Sequence, residues 1–261
     1  MDKHTMIAKI AQESEDKLLL ARILDKYEQM ERRGIPTATV FLSQREQVLA
    51  QALLNTAGIR SGYCFDGGYD DAERKILTFL PEWAENGNDE IAFVRAAFHG
   101  ADSALTHRDI LGSLMGLGIT RETVGDILVS PHSADVAVLP KVAECLLRDW
   151  DSAGRVRLGV SQIQREELSC PPVSVKEVSD TVSSLRLDAV VSAAFSMSRG
   201  KAADLIAAGT VALDHVACVK CDKTVVQGST ITARGFGKAV VRECSRVSKK
   251  GRIILVIDRY I

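Results

Sequence analysis

The sequence predicts an α+β protein in three parts: a small α/β domain over residues 1–88, a βαββαβ (ferredoxin-like) domain over 89–165, and a last module over 184–261 in which two short helices lean on a small curved sheet. Three observations lead there. Helix-period and strand-like segments alternate along the first two thirds, then give way after residue 209 to short strands punctuated by turn dipeptides. Residues 90–163 order their elements as strand, helix, strand, strand, helix, strand, the split βαβ arrangement. The polar, Pro-bearing stretch "EELSCPPVSVKEVSD" then intervenes, so that 166–183 reads as a linker or a bridging strand.

In the first part an amphipathic helix runs over about 13–31, and Gly34 and Pro36 end it. "TATVFLS" (37–43) is strand-like. Ser43 and Glu46 have capping-box spacing at the start of a helix that Gly58 stops. Residues 63–65 and 74–80 are strands on either side of the turn "DGGYDD". In the second part the strands are 91–98, 124–131, 133–140 and 155–163, and the helices are 106–118, with Thr106 and Asp109 as capping box, and 141–154. In the third part Leu187, Val190, Val191, Ala194 and Phe195 fall on one face of a helix. A second helix follows Ser198, carries Ala202, Ala203, Leu205 and Ile206 on one side, and stops at Gly209. Strands turned at Asp214-His215, Gln227-Gly228 and 235–237 come next, and "RIILVIDRY" is the last.

No apolar run approaches the roughly 18 residues of a membrane span, and the N-terminus lacks the apolar core of a secretory signal, so the expected location is the cytoplasm. Six scattered cysteines fit reduced thiols. The net charge of −1 conceals a division: from Leu185 onward there are 13 Lys+Arg against 6 Asp+Glu, and the remainder holds 20 against 28. A basic module on an acidic body is expected to meet a polyanion.

Most apparent catalytic motifs dissolve on inspection. "HRDILGSL" has Leu114 where a kinase loop needs Asn, so it is a helix start. Cys218-x-x-Cys221 lacks a second ligand pair of zinc spacing. "DGGYDDAER" is acidic and lacks the Lys-Ser or Lys-Thr of a phosphate loop. No nucleophile has its usual partners nearby. The expectation is a protein that is not an enzyme and has no metal, cofactor or small-molecule substrate. The second part has the strand order of an RNA recognition motif (RRM-like), yet "SADVAVLP" carries no aromatic on which a base could stack. His107 and Arg108, at a helix start, are candidates for a secondary RNA contact or for a solvated cap.

The last module gathers cations. Arg186 opens one helix; Ser198, Arg199 and Lys201 open the next, where the helix dipole alone disfavours positive charge. Lys220, Lys223, Arg234 and Lys238 decorate the hairpins, and Phe236, between glycines, is either a stacking platform or a core residue. Open N–H groups at both helix starts, with these cations, make a seat for phosphate. Replacing Arg199 and Lys201 is then expected to leave the fold intact or slightly more stable.

The stretch "LRLDAVVSAAFSMSRGKAADLIAAGTVALD", followed by "VVQGSTITARGFGK", resembles the S4 RNA-binding domain: Arg-Leu-Asp opens the first helix and Ser-Arg the second. It departs from that pattern at Asp214-His215, where Asn-Gly is usual, and at Ser229-Thr230, where Asp is usual. "GGYDDAERKILTFLP" and "HRDILGSLMGLGITRETVGDILV" are similar to segments of the YlmH family of bacterial and plastid S4-domain proteins, which extends the resemblance over most of the chain. The chain is separately expected to be a monomer, and the resemblance implies a non-enzymatic RNA-binding protein of the ribosome. Ribosomal RNA, tRNA and the large subunit are the contacts it implies, stalled translation the process, and Arg186, Ser198, Arg199 and Lys201 the residues facing RNA. The alternatives are an RNA-modifying enzyme of pseudouridine-synthase type and a cell-division-associated adaptor.

Overall fold

A computed structural model describes residues 2–84, 90–98, 105–172 and 174–261. The fold is α+β, and the chain forms two compact units, Met1–Pro171 and Pro172–Ile261, each with its own core.

The first unit opens with helices α1 (Lys3–Ile10) and α2 (Ser14–Arg33), strand β1 (Thr37–Ala38), helix α3 (Gln44–Ala57) and strands β2 (Tyr63–Asp66) and β3 (Ile76–Phe79), paired in the order β1-β3-β2. The Ser43–Glu46 capping box forms as its spacing predicts. Helix α1 goes beyond the sequence reading; the Asp2 side chain caps it and Ile7 anchors it in the core with Leu20, Leu24 and Leu53. The strand expected over 37–43 is interrupted: β1 covers Thr37–Ala38, and antiparallel pairing resumes at Leu42, which bridges Lys75. Phe41 leaves the sheet, its N–H donates to the Glu122 carbonyl at 2.9 Å, and its ring is 1% exposed.

Strand β4 (Ala92–Ala97), helix α4 (His107–Gly116), strands β5 (Val124–Ser130) and β6 (Ser133–Val138), helix α5 (Pro140–Asp149) and strand β9 (Gly159–Ile163) follow. The sheet order is β5-β6-β4-β9, with every neighbour antiparallel. The strand expected over 155–163 is broken: β8 (Val156–Arg157) folds back on β7 (Ser152–Ala153) as a hairpin, and α5 ends at Asp149, before the buried Trp150. Helices α4 and α5 cover one sheet face through Ile110, Leu114, Ala143 and Leu146 against Val94, Val136 and Val138.

The other face is covered as well. Phe93, Ala137 and Ile163 pack there against Phe41 and Ile76 from the first part of the chain. Two glycines permit the approach. A Cβ on Gly125 would lie 2.6 Å from the Phe41 ring, and one on Gly68, where φ is +100°, 2.4 Å from the Phe93 ring. On the same face Arg95 grips the buried Asp135 with two bonds of 2.7 Å, and the Ser169 N–H donates to that carboxylate at 2.8 Å. The segments that carry the wider resemblance meet at Asp126, which accepts from the Tyr69 hydroxyl at 2.9 Å and from the N–H groups of Glu73 and Arg74 at 2.6 and 3.1 Å.

The second unit contains β10 (Val175–Val182), α6 (Leu187–Ala194), α7 (Arg199–Ala207), β11 (Val211–Leu213), β12 (Val216–Ala217), β13 (Thr230–Ala233), β14 (Gly237–Glu243) and β15 (Ile253–Tyr260). They form one antiparallel sheet, β10-β15-β14-β13-β11-β12, with a register shift between Val241 and Glu243. Strand β10 pairs with β15 along its whole length, so this unit begins before residue 184. Leu187, Val190, Val191, Ala194 and Phe195 are all buried, as the helical period predicts, against Ile231, Val241 and Ile257. The Asp214-His215 turn keeps hairpin geometry without glycine: both residues take positive φ, +48° and +69°. The cost, roughly 1–2 kcal/mol per residue, is offset where the Asp214 carboxylate accepts the Thr230 N–H at 2.9 Å.

The α7 face is asymmetric. Ile206 is fully buried, whereas Leu205 is half-buried. Ile206→Ala should lower the stability of the second unit by about 2–5 kcal/mol, and Leu205→Ala by less, because part of its side chain already faces water. Chemical denaturation followed by a probe in this unit checks the order of the two.

Candidate nucleic-acid interface

The site grows from one short turn. Arg186 occupies the N-cap position of α6 with extended backbone, and the chain there is stitched to the 218–225 loop: Leu187 N–H donates to the Lys223 carbonyl at 2.9 Å, Asp188 N–H to Cys221 at 3.1 Å, and Val225 N–H to Leu185 at 2.8 Å. This corrects the expectation of open N–H groups at both helix starts. At α6 the loop takes two of them. It also places Lys220 and Lys223, both exposed, beside that start.

Asp188 joins the two helices. Its carboxylate accepts Arg186 Nε at 3.2 Å and, from the start of α7, Arg199 Nε and Nη2 at 3.0 and 3.1 Å. The Asp188 side chain is 9% exposed, against 42% for Arg186 and 52% for Arg199. Burial alone would raise the Asp188 carboxyl; the hydrogen bonds and charges of Arg186 and Arg199 outweigh it and hold the group below the ordinary carboxylate range. Two cations thus share one anion and a net positive charge remains, with both guanidinium groups half open to solvent. At α7 the Ser198 hydroxyl caps the Lys201 N–H at 3.2 Å, and the N–H groups of Arg199 and Gly200 have no acceptor among the described residues.

Arg186, Ser198, Arg199, Lys220 and Lys223 are therefore gathered at the two helix starts. Lys201 turns elsewhere: its Nζ lies 5.0 Å from the centre of the Phe236 ring. Phe236 is half-buried and tilts against Phe195 at 6.2 Å, so it is part of the core edge rather than a projecting platform. Arg234 is exposed in the β13–β14 turn, and Lys238 sits on β14 with its Nζ 4.8 Å from the Tyr260 ring. Cys218 and Cys221 lie against the Lys220 and Ala203 carbonyls. In the first unit His107 and Arg108 are exposed at the start of α4, whose cap is closed by Thr106 and Asp109. Desolvation and the nearby Arg121 charge push His107 below the ordinary histidine value, and burial and Arg74 push Arg121 down to about 10.

Sequence reasoning passed over Arg259, whose guanidinium carbon lies 5.6 Å from the Phe195 ring centre, and Tyr260. The signal was present: Arg259 has the same strand parity as the buried Leu255 and Ile257, and a charge on a core-facing position is unusual. It also passed over the part Arg199 plays in holding Asp188. Truncating Arg199 removes a charged hydrogen-bond pair from a buried carboxylate, so the variant should lose stability rather than keep or gain it.

The Asp188 carboxyl has a lower pKa folded than unfolded. Its stabilisation is fully present above the unfolded carboxylate range, around pH 4, and is lost as pH falls through the lower folded value. Asp188→Asn should lower the melting temperature of the second unit at neutral pH and flatten its dependence on pH in the acid limb. Thermal melts from pH 7 to pH 2 measure both.

Residues 89–167 match the family described as "Putative RNA-binding domain in YlmH". The chain is 32% identical over 223 residues, 85% of its own length and 86% of the other, to "Ribosome-associated protein quality control protein P2" of Bacillus subtilis (strain 168). A solved structure, "Cell division protein ylmH from Streptococcus pneumoniae", aligns with a TM-score of 0.49 at 21% identity over 61% of this chain and 98% of that one. On the sequence relationship, which runs nearly the full length of both proteins, the chain belongs to the YlmH family.

Proposed function

We propose that this protein binds ribosomal RNA or tRNA on the ribosome, acts without catalysis, and makes its main contact through the second unit, read as an S4-like module. The observation that carries the reading is the Asp188 carboxylate shared by Arg186 and Arg199. It holds two half-exposed guanidinium groups at converging helix starts, beside Lys220 and Lys223, with positive charge to spare. That is the sequence-tolerant phosphate contact on which nucleic-acid affinity largely rests. The name of the Bacillus subtilis relative supports a ribosomal setting and a part in protein quality control, and stalled translation is the process we propose for this chain. The large subunit is the expected partner, and the protein acts there as a monomer.

In residues 89–167 the sheet face that an RNA recognition motif would use is occupied by Phe41, Ile76 and the Ser169 segment. Any contribution of this region falls to its helix starts, where His107 and Arg108 stand. The non-catalytic reading is supported by the engagement of the buried aspartates: Asp16 is held by Arg45, Asp135 by Arg95, and Asp188 by two arginines.

Sedimentation with purified ribosomal subunits across a salt series tests the proposal. Wild type should associate with the large subunit in a salt-sensitive manner, and Arg199→Ala with Lys201→Ala should reduce the log–log salt slope by roughly one unit for each phosphate no longer neutralised. A melt of the same variant separates weakened binding from a damaged fold. Absence of wild-type association with either subunit would sink the proposal.

A further inference from the structure

Across the β10–β15 ladder, two successive pairs set like charges opposite one another: Glu177 faces Asp258, and Lys176 faces Arg259. Such pairs are destabilising. The acidic pair is resolved within the protein, because Arg242 bridges Glu177 and Asp258. The basic pair is not: neither Lys176 nor Arg259 has an ion-pair partner among the described residues. Arg259 Nε is buried without an acceptor, and its Nη2 reaches the Phe236 carbonyl at the long distance of 3.5 Å.

A third cation stands close by. The Arg259 guanidinium lies against the Phe195 ring, Phe195 against Phe236, and Lys201 against Phe236. Lys201 and Arg259 therefore flank two aromatic rings that touch each other, Lys176 faces Arg259 across the ladder, and no carboxylate among the described residues pairs with any of the three.

We propose that Lys176, Lys201 and Arg259 together hold one RNA backbone phosphate, at a seat distinct from the one framed by Arg186 and Arg199. The inference rests on the RNA-binding reading above. A phosphodiester fits better than an acidic side chain. Its two non-bridging oxygens can accept from several cations at once, and the half-buried Phe236 ring beside the seat offers an apolar edge to the neighbouring base or sugar.

The test is the salt dependence of binding of the full chain to purified large ribosomal subunits, for Lys176→Gln, Arg259→Gln and the two combined. Because one phosphate is shared, the combined variant should lose about one unit of log–log slope in total, and Arg259→Lys should retain the slope. Lys176 is exposed on an edge strand, so Lys176→Gln should melt at the wild-type temperature or slightly above, and a melt of the combined variant separates a lost phosphate contact from lost packing of Arg259 on Phe195. A drop of two units would mean separate phosphates and overturn the shared seat. An unchanged slope in the combined variant, with Arg199→Ala still lowering it, would overturn this inference and leave the RNA-binding reading standing. A wild type without salt-sensitive association would remove that reading and the inference with it. Binding that survives ribonuclease digestion of the subunits would assign the anion to protein and likewise overturn the seat.

Discussion

The start of both helices in the second unit depends on one carboxylate. Asp188 is almost wholly enclosed, and an enclosed carboxylate without a partner is costly enough to disorder the turn around it. A single arginine would neutralise it. Here two converge on it from different helices, which fixes the approach of α6 to α7 and orients both guanidinium groups. The second arginine fastens the start of α7 to that carboxylate and at the same time brings one positive charge more than neutralisation requires. A site that holds an external anion is built in this way: the internal acid fixes geometry, and the surplus cation supplies attraction.

The first unit follows the opposite principle. Its four-stranded sheet has the order and antiparallel pairing of a split βαβ unit, a framework that commonly presents one open face. Here that face is a second core. Gly68 and Gly125 remove the side chains that would hold the neighbouring layer away, Phe41 and Phe93 fill the gap, and Arg95 with Asp135 satisfies the charge left inside. Asp126 ties the 69–74 loop to β5 by three hydrogen bonds. The glycine-rich segment is therefore explained by close packing, with no ligand required.

Much of this was legible from local sequence. The capping boxes at Ser43 and Thr106, the buried face of α6 and the strand order of residues 91–163 all arise from near-neighbour periodicity, and the structure reproduces them. What escaped was set by distant parts of the chain. The strand at 37–43 breaks at Phe41, which packs in another core, before pairing resumes at Leu42, and the hairpin at 152–157 interrupts a segment whose alternation looked continuous. In the candidate site, the types and positions of the cations were readable, and their orientations were not. Arg199 binds Asp188 and Lys201 covers a ring, choices made by side chains eleven and thirty-five positions away in sequence.

Those orientations separate two ways of ordering a cation. Arg242 and Arg246 are ordered by carboxylates, Glu177, Asp258 and Glu243, and their charge is spent in the process. Lys201 and Arg259 are ordered by aromatic faces, whose quadrupole attracts the cation without cancelling its charge. The attraction is modest, about 0.5–1 kcal/mol at exposed sites, but it narrows the freedom of a long side chain before any partner arrives. A cation held by a ring therefore gives up less entropy on meeting an anion than one that moves freely in water, and it arrives with its charge intact. In a unit carrying seven more basic than acidic side chains from Leu185 onward, the distribution of these two devices decides where the excess charge is available. It is available at the start of α7 and around Phe195 and Phe236, and it is cancelled where Arg242 and Arg246 meet their carboxylates.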